Sequence, residues 1–273
     1  MIPRRILLAA PLLLPAAGAR AAPKAEPWPL WERHDPASTS TIDHAPWGRF
    51  LAAYRRDGAD GIARLAYGAV TQANRAVLDA DIARLAALPV SRFNRAEQFA
   101  YWVNLYNMLT VQVVLRHYPV KSIRDIAISP GWFSSGPWGA KLVAVEGTEL
   151  SLDDIEHRIL RPGWRDPRIH YVVNCAALGC PDLPAEPLTA ARREAIMTAS
   201  ARRFVNHKRG AAIEDGRLVV SSIFVWFSSD FGRDSAEVVQ HLREHADPEF
   251  YTALAHIRRI SADRYDWTLN DAP

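Results

Sequence analysis

The chain of 273 residues contains two cysteines, and the segment NCAALGC that holds Cys175 and Cys180 is the strongest candidate for covalent chemistry. A disulfide is one prediction, since an exported protein can form it and the close spacing permits the geometry. A metal site with His170 as third ligand is a second, although a C-x4-C pair without further ligands is a weak zinc motif. The third is a thiolate nucleophile served by a distant histidine base.

His157 is the favoured base because acids share its predicted helix. Asp153 and Asp154 precede it by four and three residues, the spacings that place side chains on one helical face. A carboxylate there would hold one ring nitrogen and leave the other to accept the thiol proton. Glu156 points about 100° away on an ideal helix, towards a different part of a pocket. Ser151 followed by acids is equally typical of an ordinary capped helix start.

His170 is a second candidate base. It precedes Cys175 by five residues, so a strand would put the two on opposite faces and a helix about 140° apart. Only a turn at Asn174 would pair them. His157, His170 and Cys175 together could instead bind a metal ion, so a metal-dependent hydrolase is an alternative. No comparable acidic or thiol neighbours accompany the other histidines, among them His207, His241 and His245.

A central helix is predicted from Arg95 to His117, because its residues are apolar on nearly every face. Asn94 is a suitable N-cap with Glu97 three residues later, as in a capping box, and Pro119 blocks continuation of the helix.

Two asparagines interrupt this apolar helix. Asn104 and Asn107 are three residues apart and therefore share a face. Buried amides must be hydrogen-bonded, so they either tie neighbouring loops together or line a polar pocket. The first interpretation makes them structural and the second makes them binding residues.

The remaining pattern predicts one α+β domain at 47–273, mainly helical with a small antiparallel sheet of short strands and hairpins. Residues 22–46, rich in Pro, Ala, Ser and Thr, are predicted to form an extended segment leading into it. Predicted helices cover two or three segments of 47–88 and then 151–160 (closed by Pro162-Gly163), 189–207, 236–244 and 248–255. Predicted strands cover 141–145, 169–173 and a hairpin at 211–220 that turns at Asp215-Gly216.

The first 21 residues have the organisation of an export signal. A basic start with Arg4 and Arg5 precedes an apolar run at 6–17, and Ala19-Arg20-Ala21 offers an A-x-A cleavage site. Prolines at 11 and 15 interrupt a run that is already too short to anchor the chain in a membrane. The predicted location is therefore periplasmic or secreted, reached by the general (Sec) or the twin-arginine export route.

Composition limits the possible partners. Apolar residues make up 49% and charged residues 23%, which is typical of a packed globular protein. Loss of the signal removes three arginines and no acid, lowering Lys+Arg from 33 to 30 against 30 Asp+Glu. This balance argues against nucleic acid as the main partner. No second apolar run reaches spanning length, so no stable membrane insertion is expected.

The chain resembles domain-of-unknown-function family 547, found in many bacterial exported proteins and in plants. The resemblance rests on YWVNLYNMLTVQVVLRHYPVKSIRDI (101–126), LSLDDIEHRILRP (150–162), DPRIHYVVNCAALGCP (166–181), ARRFVNHKRG (201–210) and YDWTLND (265–271). It implies a single helical α+β domain with no settled activity. The family's recurring Glu-His, Asn-Cys and second Cys correspond to Glu156-His157, Asn174-Cys175 and Cys180. In content these are similar to a papain-like or transglutaminase-like Cys-His-acid set, with the His placed before the Cys.

From these residues we predict a thiol-dependent hydrolase or acyltransferase acting on an amide or peptide-type substrate in the cell envelope, without a cofactor or a metal. Cys175 is the predicted nucleophile and His157 the base. The supporting residues are Asp154 or Glu156 to orient the imidazole, Asn174 or backbone amides after Cys175 to receive the oxyanion, and Asn104, Asn107 and His170 to line the pocket. The alternative is a non-catalytic periplasmic binding or assembly module that depends on Trp132 or Trp138.

Overall fold

A long buried helix, α3 (Arg95–His117), runs through the centre of the structure. The computed structural model describes residues 23–131 and 135–272. The predicted export signal at 1–21 and Trp132 lie outside these residues. Every side chain from Glu97 to Leu115 is buried, which confirms the prediction of a helix that is apolar on all faces.

The start of α3 is capped by one side chain. Asn94 Oδ1 accepts hydrogen bonds from the backbone N–H groups of Ala96 and Glu97, both at 3.0 Å. The predicted capping box is incomplete, because Glu97 turns to a different donor. Its Oε2 accepts the backbone N–H of Ile42 at 3.1 Å, and so ties the N-terminal segment to the central helix.

Replacement of Asn94 by alanine is expected to lower the free energy of unfolding by about 1 kcal/mol, since the two N–H groups lose their acceptor. Chemical unfolding followed by tryptophan fluorescence measures the change. Asn94→Asp keeps an acceptor and serves as the matched control. An equal loss in both variants would show that the bond from Asn94 Nδ2 to the Ser38 carbonyl, and not the cap, stabilises this region.

Short helices and strands surround α3. The other α-helices of the described residues are α1 (Ala45–Tyr54), α2 (Gln72–Ala86), α4 (Arg161–Trp164), α5 (Arg193–Val205), α6 (Ile223–Trp226), α7 (Ser228–Phe231), α8 (Ser235–His245) and α9 (Pro248–Ala253). The strands are β1 (Arg55–Asp57), β2 (Ala63–Leu65), β3 (Val143–Val145), β4 (Thr148–Leu150), β5 (Ala211–Glu214), β6 (Arg217–Ser221) and β7 (Ala262–Arg264). The predicted α+β class is confirmed.

The sheets are small and built from hairpins. β1 pairs with β2, β3 with β4 and β5 with β6, all antiparallel, while β7 adds to β6 in parallel. The predicted turn Asp215-Gly216 is confirmed, with φ values of +50° and +71° at its two residues. Both values lie in the left-handed region that a tight two-residue hairpin requires.

The N-terminal segment, residues 23–44, is mostly exposed but is attached to the domain at several points. Trp31 is only 4% exposed and packs edge-on against Trp102 of α3, with ring centroids 5.1 Å apart. The backbone N–H groups of Glu26 and Trp28 donate to the carbonyls of His157 and Arg158 at 3.0 and 3.2 Å. These contacts fix the segment to the central helix and to the helix that carries His157.

The predicted helix at 151–160 has an unusual form. Asp154–Leu160 is a π-helix that continues into α4, so Pro162 does not end it. Proline has no N–H group, and the carbonyls in the turn before it lack their usual helical donor. The carbonyls of His157 and Arg158 instead accept the two N–H groups of the N-terminal segment. Wide turns of this kind are frequent at functional sites.

The strand predicted at 169–173 is wrong. Residues Pro167–Tyr171 form a 3-10 helix, started by Asp166, whose Oδ1 accepts the backbone N–H of Arg168 at 2.9 Å. Pro167 at the first helical position suits this start. The apolar residues of this run are buried by packing as part of a helical turn and not in a sheet. In a sequence, a short apolar run does not distinguish a buried strand from a buried helical segment.

Within residues 23–131 and 135–272, no helix combines the length and the apolar composition that spanning a bilayer requires.

Candidate active site

The backbone around Cys175 is held by amide side chains. Asn107 of α3 donates from Nδ2 to the Val172 carbonyl at 2.8 Å and accepts the backbone N–H of Asn174 on Oδ1 at 2.9 Å. Asn174 Oδ1 in turn accepts the N–H of Ala176 at 2.9 Å, across a turn in which Ala176 has a φ of +59°. Asn107 therefore ties the cysteine loop to the central helix, the first of the two interpretations.

The C-terminal segment closes this loop from the other side. Asn174 Nδ2 donates to the Pro181 carbonyl at 2.7 Å. Asn270 donates from its backbone N–H to the Ala176 carbonyl at 3.0 Å and from Nδ2 to Asn174 Oδ1 at 3.3 Å. The predicted oxyanion donors are thus engaged: the Asn174 amide binds Pro181, and the Ala176 N–H binds Asn174.

The two thiols lie side by side. Cys175 Sγ is 2.9 Å from Cys180 Sγ, and the Cys175 backbone N–H also donates to Cys180 Sγ at 3.0 Å. Both cysteines are free thiols in this structure. Cys180 is buried, at 3% exposure, whereas Cys175 is partly exposed. The arrangement places a partly exposed cysteine beside a buried one, with their sulfur atoms in contact.

The hydrogen bond between the thiols separates their acidities. The bond to Cys180 raises the pKa of Cys175 well above its ordinary value, and burial and the charge of Glu156 add to this effect. Burial opposes ionisation of Cys180 as well, but the S–H and N–H of Cys175 and the hydroxyl of Tyr265 outweigh it and lower the pKa of Cys180. When the pair loses its first proton, the negative charge is therefore favoured on Cys180, while Cys175 keeps its proton.

An aromatic residue contacts the sulfur of Cys175, and two more pack against that residue. The Tyr265 hydroxyl lies 2.9 Å from Cys175 Sγ. Burial, together with the nearby thiols, raises the pKa of Tyr265 well above its ordinary value, so its hydroxyl stays protonated. The Tyr265 ring is 4.8 Å from the ring of Trp226 and 4.6 Å from that of Trp267, and all three are half-buried. They form an apolar wall beside the sulfur.

His157 is not bonded to Cys175. Its Nδ1 accepts a hydrogen bond from Arg161 Nη1 at 3.1 Å, because a guanidinium can only donate. The proton then sits on Nε2, which faces Asp153 Oδ1 at 3.6 Å. Burial lowers the pKa of His157 despite the nearby Glu156 carboxylate. Both ring nitrogens are engaged away from the thiol, so nothing in this geometry gives His157 the proton of Cys175.

Glu156 does reach a different part of the site, as its direction on the helix predicted. Its Oε2 accepts the hydroxyl of Tyr106 at 3.0 Å, and its Oε1 lies 3.7 Å from His170 Nδ1. His170 Nε2 is bonded to Asp230 Oδ2 at 2.7 Å. The imidazole of His170 is therefore held between two carboxylates.

Asp230 also binds Arg161. Two hydrogen bonds, of 2.6 and 3.0 Å, join the guanidinium to the two carboxylate oxygens. The ring of Phe227 stacks on His170 at 4.3 Å and closes this buried polar group. Residues of the π-helix, α4 and the 3-10 helix thus form one charged network with Asp230 of α7, which lies some sixty positions further along the chain.

Two of the predicted residues serve other contacts. Asp154 binds the Ser151 side chain and Lys141 on Oδ2 and Arg158 on Oδ1, so it does not orient His157. This is the ordinary capped helix start that the sequence also allowed. Asn104 exchanges two hydrogen bonds with the backbone of Leu188, at 2.8 and 3.0 Å, and therefore anchors a loop.

The metal site imagined from His157, His170 and Cys175 does not form. Within the described part of the chain, these three do not bring one ligand atom each within 4.8 Å of one another.

Several residues of the site had no role in the sequence analysis. Tyr106, Arg161 and Tyr265 lie inside motifs that carry the family resemblance, which was a usable signal. Asp230 lies outside them and had no local pattern to mark it.

Residues 90–205 match a family described as "Protein of unknown function, DUF547". The match confirms the resemblance and includes the π-helix and both cysteines. No curated protein and no solved structure matches the chain.

Proposed function

Because residues 90–205 match DUF547, a family of unknown function, we propose the activity from the geometry of the site: thiol–disulfide exchange through Cys175 and Cys180. The observation that carries the proposal is the pair of free sulfurs 2.9 Å apart, one of them on a partly exposed residue. An attacking thiol and a resolving thiol must be in this relation for exchange to run to completion.

The first step uses the proton that Cys175 keeps. Transfer of this proton to Cys180 leaves a thiolate at Cys175 Sγ, which attacks one sulfur of a substrate disulfide. A Cys175–substrate S–S bond forms, the substrate S–S bond breaks, and the first substrate sulfur leaves and takes the proton from Cys180. The Tyr265 hydroxyl, 2.9 Å from Cys175 Sγ, can donate a hydrogen bond to the charged sulfur while this occurs.

The second step releases the substrate. The Cys180 thiolate attacks Cys175 Sγ, the Cys175–Cys180 bond forms, and the second substrate sulfur leaves as a thiolate that takes its proton from water. The substrate gains two electrons and the cysteine pair loses two. The same steps in reverse oxidise a substrate dithiol.

The substrate class follows from the surroundings of the sulfur. The half-buried rings of Trp226, Tyr265 and Trp267 offer an apolar wall to side chains that flank a cystine. The organisation of residues 1–21 supports export, and we place the activity in the cell envelope, where disulfides form and persist. Peptide or protein disulfides are therefore the proposed substrates.

An aromatic disulfide, 5,5'-dithiobis(2-nitrobenzoate), tests the proposal on the reduced protein under anaerobic conditions. We expect two equivalents of thionitrobenzoate per chain and a product whose mass shows an internal Cys175–Cys180 bond. Cys175→Ser should release almost none, because Cys180 is buried at 3% exposure. A native protein whose thiols do not react, or that keeps separate adducts on both, would contradict the proposal and favour the non-catalytic binding or assembly module.

A second candidate is the thiol-dependent hydrolase or acyltransferase acting on an amide or peptide-type substrate. Cys175 is partly exposed and lies beside the Tyr265 hydroxyl. This favours the second candidate, because a nucleophile is then adjacent to a group that can donate a proton to the leaving group. In this geometry the base is the Cys180 thiolate and not His157. Acyl transfer from an activated ester to Cys175 distinguishes it, as developed in the Discussion.

A further inference from the structure

The last turn of α8 carries three potential metal ligands that the thiol site does not use. His241, Glu244 and His245 stand at i, i+3 and i+4, so their side chains share a face of the helix. One ligand atom from each lies within 4.8 Å of the other two. The sequence analysis assigned no role to these residues, and they lie beyond the 90–205 family match.

These donor atoms are largely uncommitted. Within the described residues, neither the Glu244 carboxylate nor the His245 imidazole makes a hydrogen bond or an ion pair. His241 Nε2 lies 2.8 Å from the hydroxyl of Tyr171, and the two rings stack at 5.9 Å. A metal on Nδ1 of His241 would leave Nε2–H to donate to that hydroxyl, the outer contact that metal-bound histidines usually make.

The charges around the cluster are mixed. The carboxyl end of a helix carries partial negative charge, which favours a cation. The nearby Arg168 opposes a cation, but its guanidinium is paired with Asp166 and Glu194, at 2.7 and 2.8 Å.

We propose that His241, Glu244 and His245 form a site for one divalent transition-metal ion of the zinc class. Two imidazoles and one carboxylate are a donor set that zinc accepts, with water completing the coordination. Ligand atoms on a tetrahedral zinc are about 3.4 Å apart for bonds of about 2.1 Å. The exposed Glu244 side chain can rotate to close the remaining distance, while buried His241 fixes the site to the core.

Zinc titration by calorimetry, with cobalt absorption as a second readout, tests the site. The protein should carry Cys175→Ser and Cys180→Ser, because thiolates also bind zinc. We expect one ion per chain and a zinc-dependent rise in Tm. His245→Ala should weaken binding by at least about tenfold and abolish the rise in Tm, since it removes one of three protein ligands. Glu244→Gln should weaken it less.

The control is His256→Ala, which removes an exposed histidine outside the cluster and should leave zinc binding unchanged. His241 is not varied, because it is buried against Tyr171 and its loss would perturb folding. Absence of stoichiometric binding in the thiol-free protein, or equal affinity in His245→Ala, would overturn the proposal. Neither outcome bears on thiol–disulfide exchange.

Discussion

Replacement of Cys180 by serine is expected to trap the protein as a stable mixed disulfide between Cys175 and a peptide substrate. Cys175 remains partly exposed and loses the bond to Cys180 that raises its pKa, so it can still ionise and attack, but a serine hydroxyl cannot displace the bound sulfur. Turnover of a cystine-containing peptide, with dithiothreitol as reductant, should fall by about 100-fold or more. The resolving sulfur 2.9 Å away acts intramolecularly, at an effective concentration that an external thiol does not reach.

Mass spectrometry of the quenched reaction checks this result by locating the peptide on Cys175. Cys175→Ser is the matched control, because it should give neither turnover nor an adduct while keeping the resolving thiol. Cys180→Ser that turns over at the wild-type rate would contradict a two-cysteine mechanism.

The same variants distinguish the second candidate. Acyl transfer from p-nitrophenyl acetate needs a covalent bond to Cys175 alone. If the wild-type protein turns over p-nitrophenyl acetate and no disulfide exchange is found, the hydrolase or acyltransferase function replaces the dithiol proposal. Exchange without ester turnover leaves the dithiol function as the activity of the site.

Replacement of Asp230 by asparagine is expected to lower the free energy of unfolding by about 3 kcal/mol near neutral pH. The carboxylate holds Arg161, which is 4% exposed at its side chain, and also His170, at 3%. An amide offers one weak acceptor in place of two charged oxygens and leaves the guanidinium buried without its counter-ion. Chemical denaturation followed by tryptophan fluorescence measures the loss.

The pH dependence of that loss has a defined sign. Burial alone would raise the pKa of Asp230, but the bonds from His170 and Arg161 outweigh it and hold the pKa well below its usual range. A carboxyl with a depressed pKa stabilises the fold above its unfolded value, near 3.8, and loses this contribution as the pH falls towards the folded value. The difference between wild type and Asp230→Asn should therefore shrink on acidification below about pH 4.

Asp60→Asn is the matched control, because Asp60 makes a similar paired contact with Arg64 at the surface. Its side chain is 45% exposed, so we expect a loss of about 0.5 kcal/mol. Equal losses in the two variants would show that burial of Arg161 does not set the energetics of the network.

Sequence periodicity was sufficient where a segment interacts mainly with itself. Helix α3 begins and ends at the predicted residues, because Asn94 caps it and nearly every position is apolar. The hairpin at 211–220 was predictable for a similar reason, since Asp215-Gly216 selects the turn whatever surrounds it. The cysteine loop and the helix that carries His157 were likewise recognisable from the sequence as the candidate site.

The partners within the site were decided by tertiary structure. Spacing placed Asp153 beside His157, and its carboxylate does lie 3.6 Å from Nε2, but Arg161 binds the other ring nitrogen, which the prediction had left free for the thiol. Pro162 was expected to end the helix, yet the N-terminal segment supplies the N–H groups that let it continue. Hydrogen-bond competition of this kind depends on groups far apart in sequence.

The sequence by itself determined the main elements and the family resemblance, and it marked the two sulfurs as candidate reactive atoms, because these depend on local pattern and residue type. Only the folded chain decided that Tyr265, ninety positions after Cys175, meets its sulfur, and that Asp230 binds Arg161 and His170. The physical reason is that buried polar groups take whichever partner the packing brings within reach, and packing is a property of the whole chain.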